Sequence, residues 1–558
     1  MKVQIKIAGL IEQSIKKAQK TQKLPPVDVS PPEVDRPGRI DHGDFACALP
    51  LRLAKIMKMS PIKIAEIIID EMQSDSMFER VWVEPPGFIN FSLTDAWLTN
   101  QVDQIRLEEQ LYGNSSVGDG KKVQVEFVSV NPTGPIHVGH ARGAVFGSAL
   151  ANVLEAAGYQ ICREYYVNDS GNQIENFSRS ILARYLQSFG KDFAFPEDGY
   201  KGNYMMDIAE ELKEQESDRF LNIDEDAAAS ELGILAMKKV LDQIKLDMQD
   251  LRVTYDEWFH ESSLYDSGQY QQAMDLLKTG GYLDERDGAL WFSSAGLNED
   301  DEQGKVFVRS NGSPTYFAAD VAYHYNKFKI RDFYKVINIW GADHQGQVPF
   351  MKSMAGALGV ETDRLTLLLY QLVTLKRGGE VIRVSKRSGD IVTLRELVDD
   401  VGVDACRFFF LSRSPDSQME FDIDLATKQS AENPVYYVQY AYARIVGIMK
   451  TAKTHSLDYI SADTSMLVHA SELTLIRKML LFPELIEHMA ESLEPHHLPH
   501  YAVELATEFQ RFYEQCRVVS NVPAERAMSQ ARLKLVDSVR IVLLRCLNLM
   551  SMSAPEEM

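Results

Sequence analysis

Val128-Ser-Val-Asn-Pro-Thr-Gly-Pro-Ile-His-Val-Gly-His-Ala-Arg-Gly143 joins a run that reads as a buried strand to one that reads as a long helix. Upstream, Lys122-Val-Gln-Val-Glu-Phe-Val-Ser-Val130 is short and rich in β-branched residues, the pattern of a strand inside a sheet. Downstream, Val138 to Ala157 is dense in Ala, Leu and Val and contains no Pro, which predicts a helix. Pro132, Gly134 and Pro135 bend the joint sharply, and Gly139 leaves room for a backbone or a ligand at the first helical turn. Such a joint presents free N–H groups and the positive end of a helix dipole, the ingredients of a phosphate site.

His137 and His140, three residues apart at the helix start, share a face and can both reach one anion. The spacing H-x-x-H also admits a metal, but zinc needs a third and a fourth ligand, and no nearby Cys, Asp or Glu has the spacing of a familiar zinc motif. An isolated H-x-x-H would read as two surface histidines at a helix cap. Asn131, Pro132, Thr133, Gly134 and Gly139 crowded into the same turn point instead to an anion.

Outward from this stretch, Gln160 to Val167 reads as a second strand ending in Asn168-Asp-Ser-Gly-Asn-Gln173, and Lys335 to Gly341 as another ending in Ala342-Asp-His-Gln-Gly-Gln347. In doubly wound sheets ligands sit at the carboxyl ends of parallel strands, so these loops are expected to face His137 and His140. Residues 181–251 read as helical and acidic, an insertion in the doubly wound fold. Gly288 to Ser294 and Lys305 to Ser310 read as strands turned by Asn311-Gly312, and Leu365 to Leu375 with Glu380 to Val384 as a hairpin around Arg377-Gly-Gly379. From about Asp404 the chain reads as helical almost throughout. At the other end, a helix over Ile5 to Ala18, a Pro-rich break, a helix running through Lys58, a helix over Pro61 to Gln73 and a strand-and-turn over Phe78 to Leu93 make a separate α+β unit.

With 558 residues, two to four domains are expected. No stretch approaches the roughly 20 apolar residues of a membrane span, and Met1-Lys-Val-Gln-Ile-Lys-Ile lacks a signal peptide's apolar core, so a cytoplasmic protein with no membrane partner is expected. Cys47, Cys162, Cys406, Cys516 and Cys546 are scattered and odd in number, against a disulfide framework or a zinc knuckle. The net charge of −21 runs against nucleic-acid binding. Field distribution matters more than the total, however, and basic residues cluster at Lys16 to Lys23 and at Lys376 to Arg387.

His137-Val-Gly-His140 resembles the HIGH signature of class I aminoacyl-tRNA synthetases, and the longer run from Glu126 to Arg142 is similar to its form in bacterial arginyl-tRNA synthetases. Tyr165 to Gln173, Val253 to Ser262, Thr315 to Asp320 and Gly341 to Gly346 resemble further family segments, and Arg383-Val-Ser-Lys-Arg387 resembles the second class I signature, KMSKR. Arg383 and Val384 depart from the family's Lys and Met, which alters hydrogen-bond geometry at 383 while preserving charge. Ala431 to Arg444 and the ending Ser553 to Met558 also look like family runs.

The resemblance implies a doubly wound Rossmann-type α/β catalytic domain over 111–425, with its helical insertion at about 181–251. It also implies an N-terminal tRNA-contacting α+β module over 1–110 and a C-terminal all-α anticodon-binding bundle over 426–558. The implied reaction is ATP-dependent activation of L-arginine and its transfer to the 3′ end of tRNA(Arg), by a monomer, with Mg2+ accompanying ATP as substrate and no dedicated metal site. Catalysis falls to His137, His140, Ser385, Lys386 and Arg387, and ATP binding to Gly134, Gly139, His137, His140, Asp343 and Lys386. Asn131, Glu261, Tyr316, Asp320 and His344 are expected at arginine, and Asn433, Tyr437, Tyr440, Tyr513, Arg517 and Met558 at the anticodon. Paired carboxylates suit a guanidinium, which is planar, permanently charged and able to donate in bidentate fashion. A small-molecule adenylyltransferase would share HxGH without needing the Tyr-rich C-terminal helices, and a non-catalytic RNA-binding relative would keep those helices and lose the signatures.

Overall fold

The computed structural model describes residues 3–293, 305–382 and 392–558. They form two compact units. One comprises Met1–Glu109, Ile448–Leu480 and Arg511–Val539; the other comprises Gln110–Gly447, Leu481–Gln510 and Arg540–Met558. No described helix is long and apolar enough to cross a membrane.

The larger unit is built on a parallel sheet whose five described strands run in the order Leu365–Tyr370, Lys335–Gly341, Lys122–Phe127, Gln160–Val167, Glu257–His260. From the middle strand the chain builds outward on one side, then returns and builds on the other. The winding therefore reverses between Lys122–Phe127 and Lys335–Gly341. This is the expected doubly wound fold, and a crevice opens at such a reversal, beyond the carboxyl ends of the strands. Val123, Val125, Phe127, Val336, Ile337 and Ile339 are buried, as the continuous apolar runs require of strands covered on both faces.

The helix Val138–Ala156 lies against this sheet at the reversal, and small residues let it come close. A Cβ on Gly147 would stand 2.3 Å from the Phe127 ring, and one on Gly143 2.7 Å from the Tyr370 ring. Arg142, 1% exposed, spends its guanidinium on three carbonyls: Nη1 donates to Gln371 O at 2.9 Å and Ser417 O at 2.8 Å, and Nη2 to Ser414 O at 2.7 Å. Arg407 is buried in the same manner, donating to the carbonyls of Met550 and Leu251 and to Ser148 Oγ.

In the smaller unit the strands Phe45–Cys47, Phe88–Leu93 and Phe78–Glu84 make an antiparallel sheet in that order, with the helices Val3–Lys20, Leu49–Met57 and Pro61–Glu71. Gly43 has φ +86, and a Cβ there would meet Phe91 O at 2.5 Å. Asp44 accepts from Leu93 N at 2.8 Å and from Arg477 Nε at 2.7 Å. This Gly-Asp pair therefore has a packing task.

Three expectations need correction. Leu365 to Leu375 is two strands: Leu365–Tyr370 belongs to the main sheet, while Val373–Arg377 pairs antiparallel with Glu380–Ile382 and parallel with Met419–Asp422. The chain breaks at Gln371 because its carbonyl is taken by Arg142 and its N–H donates to Pro415 O at 2.8 Å. Met419–Asp422 interrupts the helical C-terminal part, burying Met419 and Phe421 alternately with exposed Glu420 and Asp422. Finally, Ala289–Phe292 pairs antiparallel with Lys305–Val308, as the two expected strands, and on its other side with a strand the sequence reading missed, Leu283–Arg286, around the turn Asp287-Gly288, whose φ values are 50 and 74. Asn311-Gly312 turns the chain from Lys305–Val308 toward Pro314 instead.

Because the helix–sheet contact leaves no room for a methyl at 147, Gly147→Ala is expected to lower stability by about 1–3 kcal/mol through overpacking. A shift of the thermal or denaturant midpoint measures it; an unchanged midpoint would show that Phe127 can yield.

Candidate active site

The strand Lys122–Phe127 ends abruptly because the next two residues, Val128 and Ser129, take φ values of 71 and 45. Left-handed backbone is rare for any L-residue and rarest for a β-branched one. Ser129 fixes the turn: its Oγ donates to Glu126 Oε1 and accepts from Tyr166 N, both at 3.1 Å. Beyond it, Tyr165 OH donates to Val130 O at 2.8 Å and Tyr204 OH to Thr133 O at 2.7 Å, while Asn131 Nδ2 donates to Gln173 Oε1. Gly134 fits under Tyr204, whose hydroxyl would be 3.1 Å from a Cβ there. The loop is thus held by the neighbouring strand and by the helical insertion.

At its end His137 occupies the N-cap position of Val138–Ala156, and the His137 and His140 rings stand 3.8 Å apart. A Cβ on Gly139 would lie 2.9 Å from His137 Nδ1, so this glycine makes room for the imidazole. Burial lowers the pKa of both rings. That of His140 falls to about 3, through burial first and then repulsion from His137 and His344. Both are therefore neutral imidazoles at neutral pH, and His140 Nδ1 is buried without a hydrogen-bond partner among the described residues. Val138 N donates to Val392 O at 3.1 Å and Leu394 N to Ile136 O at 2.9 Å, which fastens Val392–Leu394 to the start of the helix. Arg383, Val384, Ser385, Lys386 and Arg387 lie outside the described residues.

A cavity of about 1760 Å³ opens at the winding reversal, and Asn131, Gly134, His137, Gly139, His140, Glu261, Tyr316, Asp320, Asp343 and His344 all line it. Each strand's carboxyl end delivers part of the wall. Glu261 follows Glu257–His260, Asp343 and His344 follow Lys335–Gly341, and Tyr370 closes Leu365–Tyr370.

Glu261 is 7% exposed; its Oε2 accepts from Tyr166 OH at 2.7 Å and its Oε1 from Ser170 Oγ. Burial raises its pKa, opposed by these two hydrogen bonds. Asp320 lies one helical turn after Tyr316 in Tyr316–Tyr325. Its pKa is pushed up to about 8, by burial first and then by repulsion from Glu126 and Glu261, with Lys327 pulling the other way. Behind it runs a buried polar chain. Lys327 Nζ donates to Glu126 Oε2 at 2.5 Å and to Asn338 Oδ1 at 3.0 Å, and Asn338 Nδ2 lies 2.9 Å from His324 Nε2. His324 Nδ1 lies 2.8 Å from Asp320 O. A carbonyl can only accept, so Nδ1 carries the proton and Nε2 accepts from Asn338, which makes His324 neutral, as its strongly lowered pKa also requires.

The sequence reading missed Tyr166, Ser170, Tyr204 and Lys327. Tyr166 and Ser170 flank a strand end already marked as facing the site, which was a usable signal; a lysine in a Lys- and Phe-containing helix end reads as solvated, and nothing local marked Lys327 as buried.

Among the residues expected at the anticodon, Asn433 faces inward. It is 4% exposed, its Nδ2 donates to Ala426 O and Lys428 O at 3.0 and 2.9 Å, and its Oδ1 accepts from Val435 N at 3.0 Å. Its carboxamide secures its own loop, because a buried amide must satisfy its donors locally. On the helix Pro434–Thr454, Tyr437 OH donates to Thr507 Oγ1 at 3.4 Å. Tyr440 is 38% exposed, stacks on Tyr436 at 5.9 Å, and accepts from Arg444 Nη2 at 2.8 Å. Met558 is exposed. In the smaller unit, Tyr513 is 38% exposed and Arg517 Nε donates to Val519 O at 3.1 Å.

Three family descriptions match: an arginyl-tRNA synthetase N-terminal domain over residues 6–93, a catalytic domain of class I (R) tRNA synthetases over 101–425, and a DALR anticodon-binding domain over 438–558. The chain is 52% identical over 550 residues to an arginine–tRNA ligase of Dehalococcoides mccartyi, covering 98% of each. It is 45% identical over 557 residues to one of Carboxydothermus hydrogenoformans, covering 99% of each. The arginyl-tRNA synthetase of Thermus thermophilus superposes with a TM-score of 0.75 over the full length of both chains at 22% identity, a likeness of fold. A reversal-point crevice with two neutral histidines at a helix start, matched over the whole length to these relatives, places the chain in the arginine–tRNA ligase family of class I aminoacyl-tRNA synthetases.

Proposed function

We propose that the cavity binds L-arginine and ATP, the latter with Mg2+ as part of the substrate, forms arginyl-adenylate, and then passes the arginyl group to the terminal ribose of tRNA(Arg). The observation that supports this most is the pairing of Glu261 and Asp320 in a cavity that also holds His137 and His140. Two carboxylates that repel each other in one cavity are stabilised by a cation between them, and a guanidinium can donate to both.

In the first step an oxygen of the arginine carboxylate attacks the α-phosphorus of ATP, the bond to the bridging oxygen breaks, and pyrophosphate leaves. Negative charge grows on the phosphoryl oxygens. His137 and His140, neutral and at the positive end of Val138–Ala156, donate N–H to it; a preorganised donor of this kind contributes about 2.7–4 kcal/mol. Gly134 and Gly139, which line the cavity, border the nucleotide together with Asp343 and His344, and Asn131 faces the arginine α-groups. Tyr316 stands with Asp320 at the side chain. Ser385, Lys386 and Arg387 are assigned to the leaving pyrophosphate on the resemblance alone. In the second step a ribose hydroxyl attacks the mixed anhydride and AMP leaves. Tyr437, Tyr440, Tyr513, Arg517 and Met558 are offered to anticodon bases, where stacking on an aromatic is worth about 1–3 kcal/mol per base. The N-terminal module contacts tRNA, and the enzyme works as a cytoplasmic monomer over the three-part division at 1–110, 111–425 and 426–558.

ATP-dependent charging of total tRNA with labelled arginine, lysine or cysteine tests the reading. Arginine alone is expected to be charged, His140→Ala is expected to lose about 100-fold or more in kcat, and no charging of any tRNA would refute the enzyme. Glu261→Gln removes one charge-assisted partner worth about 1.5–3 kcal/mol, so KM for arginine should rise by about 10-fold to 100-fold.

A pH dependence also follows. Asp320 is largely protonated below pH 8 in the free protein. A guanidinium selects the carboxylate, so arginine binding releases a proton and tightens as pH rises toward 8, by up to about tenfold per unit. Arginine affinity at pH 6.5, 7.5 and 8.5, as chosen test points spanning about two units around that transition, should show the rise in the native protein and a flat profile in Asp320→Asn.

A further inference from the structure

Far along the chain from this cavity, the helices Phe482–Ser492 and His497–Gln515 are joined by a short turn. Leu493 takes the left-handed conformation at φ 60, its N–H returning to Met489 O, and Glu494 N donates to the same carbonyl at 3.2 Å. Pro495 is buried beneath the turn. The result sets Glu494 and His497 beside His488, one ligand-type side chain from the first helix, one from the turn and one from the start of the second helix. One ligand atom from each of the three lies within 4.8 Å of both others.

One separation already matches a chelating set. His497 Nε2 stands 3.4 Å from Glu494 Oε2, long for an N–H···O hydrogen bond. A tetrahedral zinc ion with bonds of about 2.0–2.1 Å has edges of about 3.3–3.4 Å between ligand atoms. The His488 and His497 rings lie 5.6 Å apart, and His488 is exposed, so a side-chain rotation of the kind exposed residues make freely can bring it in. His496 stacks on His497 at 4.3 Å, and its Nδ1 is buried without a hydrogen-bond partner among the described residues. Two imidazoles and a carboxylate suit borderline d-block ions and are a poor set for Mg2+ or Ca2+, which prefer oxygen alone. Three protein ligands leave a coordination position for water.

We infer that His488, Glu494 and His497 form a binding site for a divalent transition-metal ion, Zn2+ in the first instance, which clamps the two helices across their turn. The spacing H-x5-E-x2-H is not a familiar zinc motif, and only the left-handed turn at Leu493 brings its members together. This site departs from the expectation of no dedicated metal site, and it stands apart from the proposed chemistry.

The experiment is calorimetric titration of the chelator-stripped full-length protein with Zn2+, repeated on His488→Ala, on Glu494→Gln and on His140→Ala, paired with melting curves with and without Zn2+. The expected result is one equivalent bound with a rise in Tm, since a ligand that binds only the native chain stabilises it. His488→Ala and Glu494→Gln should each weaken binding at least tenfold and abolish the rise, while His140→Ala behaves as the native protein. Because His488 and Glu494 are not buried, both variants should fold, and an unchanged Tm without metal verifies it. Absence of uptake, uptake undiminished in the His488 and Glu494 variants, or uptake lost only with His140 would each overturn the site.

Discussion

The left-handed backbone at Val128 and Ser129 is the constraint on which the active-site architecture hangs. A parallel strand continuing straight would carry the following loop away from the sheet. Two residues at positive φ fold the chain back over the strand's end, so that the next helix starts at the crevice with His137, Gly139 and His140 lining it. Such a backbone stores about 1–3 kcal/mol per residue and persists only when its surroundings over-determine it. Here Ser129, bonded to Glu126 and to the backbone of Tyr166, and the hydroxyls of Tyr165 and Tyr204 on Val130 and Thr133 do so.

That arrangement also explains why an acidic protein can present a site for anions. The histidines at the helix start line the same cavity as Glu261 and Asp320. Burial holds each set in the form that repels its neighbours least: imidazoles without their protons, Asp320 with one. The cavity therefore carries less charge than its residue types suggest. The net charge of −21 does not describe this local field.

The parts of this arrangement that local patterns encode were legible in the sequence. The strands Lys122–Phe127 and Gln160–Val167, the helix Val138–Ala156 and the loops after them follow from β-branched runs, helical composition and turn residues. The rule that ligands gather at strand ends located the crevice. What escaped was whatever depends on partners distant in sequence. Leu365 to Leu375 is uniformly strand-forming, and only the claim of Arg142 on Gln371 O divides it. Asn433 has the residue type of a base reader, and only the fold turns its carboxamide onto Ala426 O and Lys428 O. Lys327 reads as solvated until Glu126 and Asn338 arrive from two strands of the main sheet. The family resemblance named the residues of the cavity wall, whereas the hold of Tyr166 and Ser170 on Glu261 appears only in the folded chain.

Arg142 and Arg407 show one way in which this protein treats guanidinium groups of its own. Each is buried and solvated mainly by neutral carbonyls, and burial has drawn their pKa values down to about 10 and about 9. Dipoles suffice for them because dehydration happens once, when the chain folds, and the surrounding backbone is built around the result. A guanidinium that arrives from water and departs again in every catalytic cycle meets that dehydration afresh each time. Full negative charges in the cavity, where the scaffold uses only partial ones, are what a reversible version of the same contact requires.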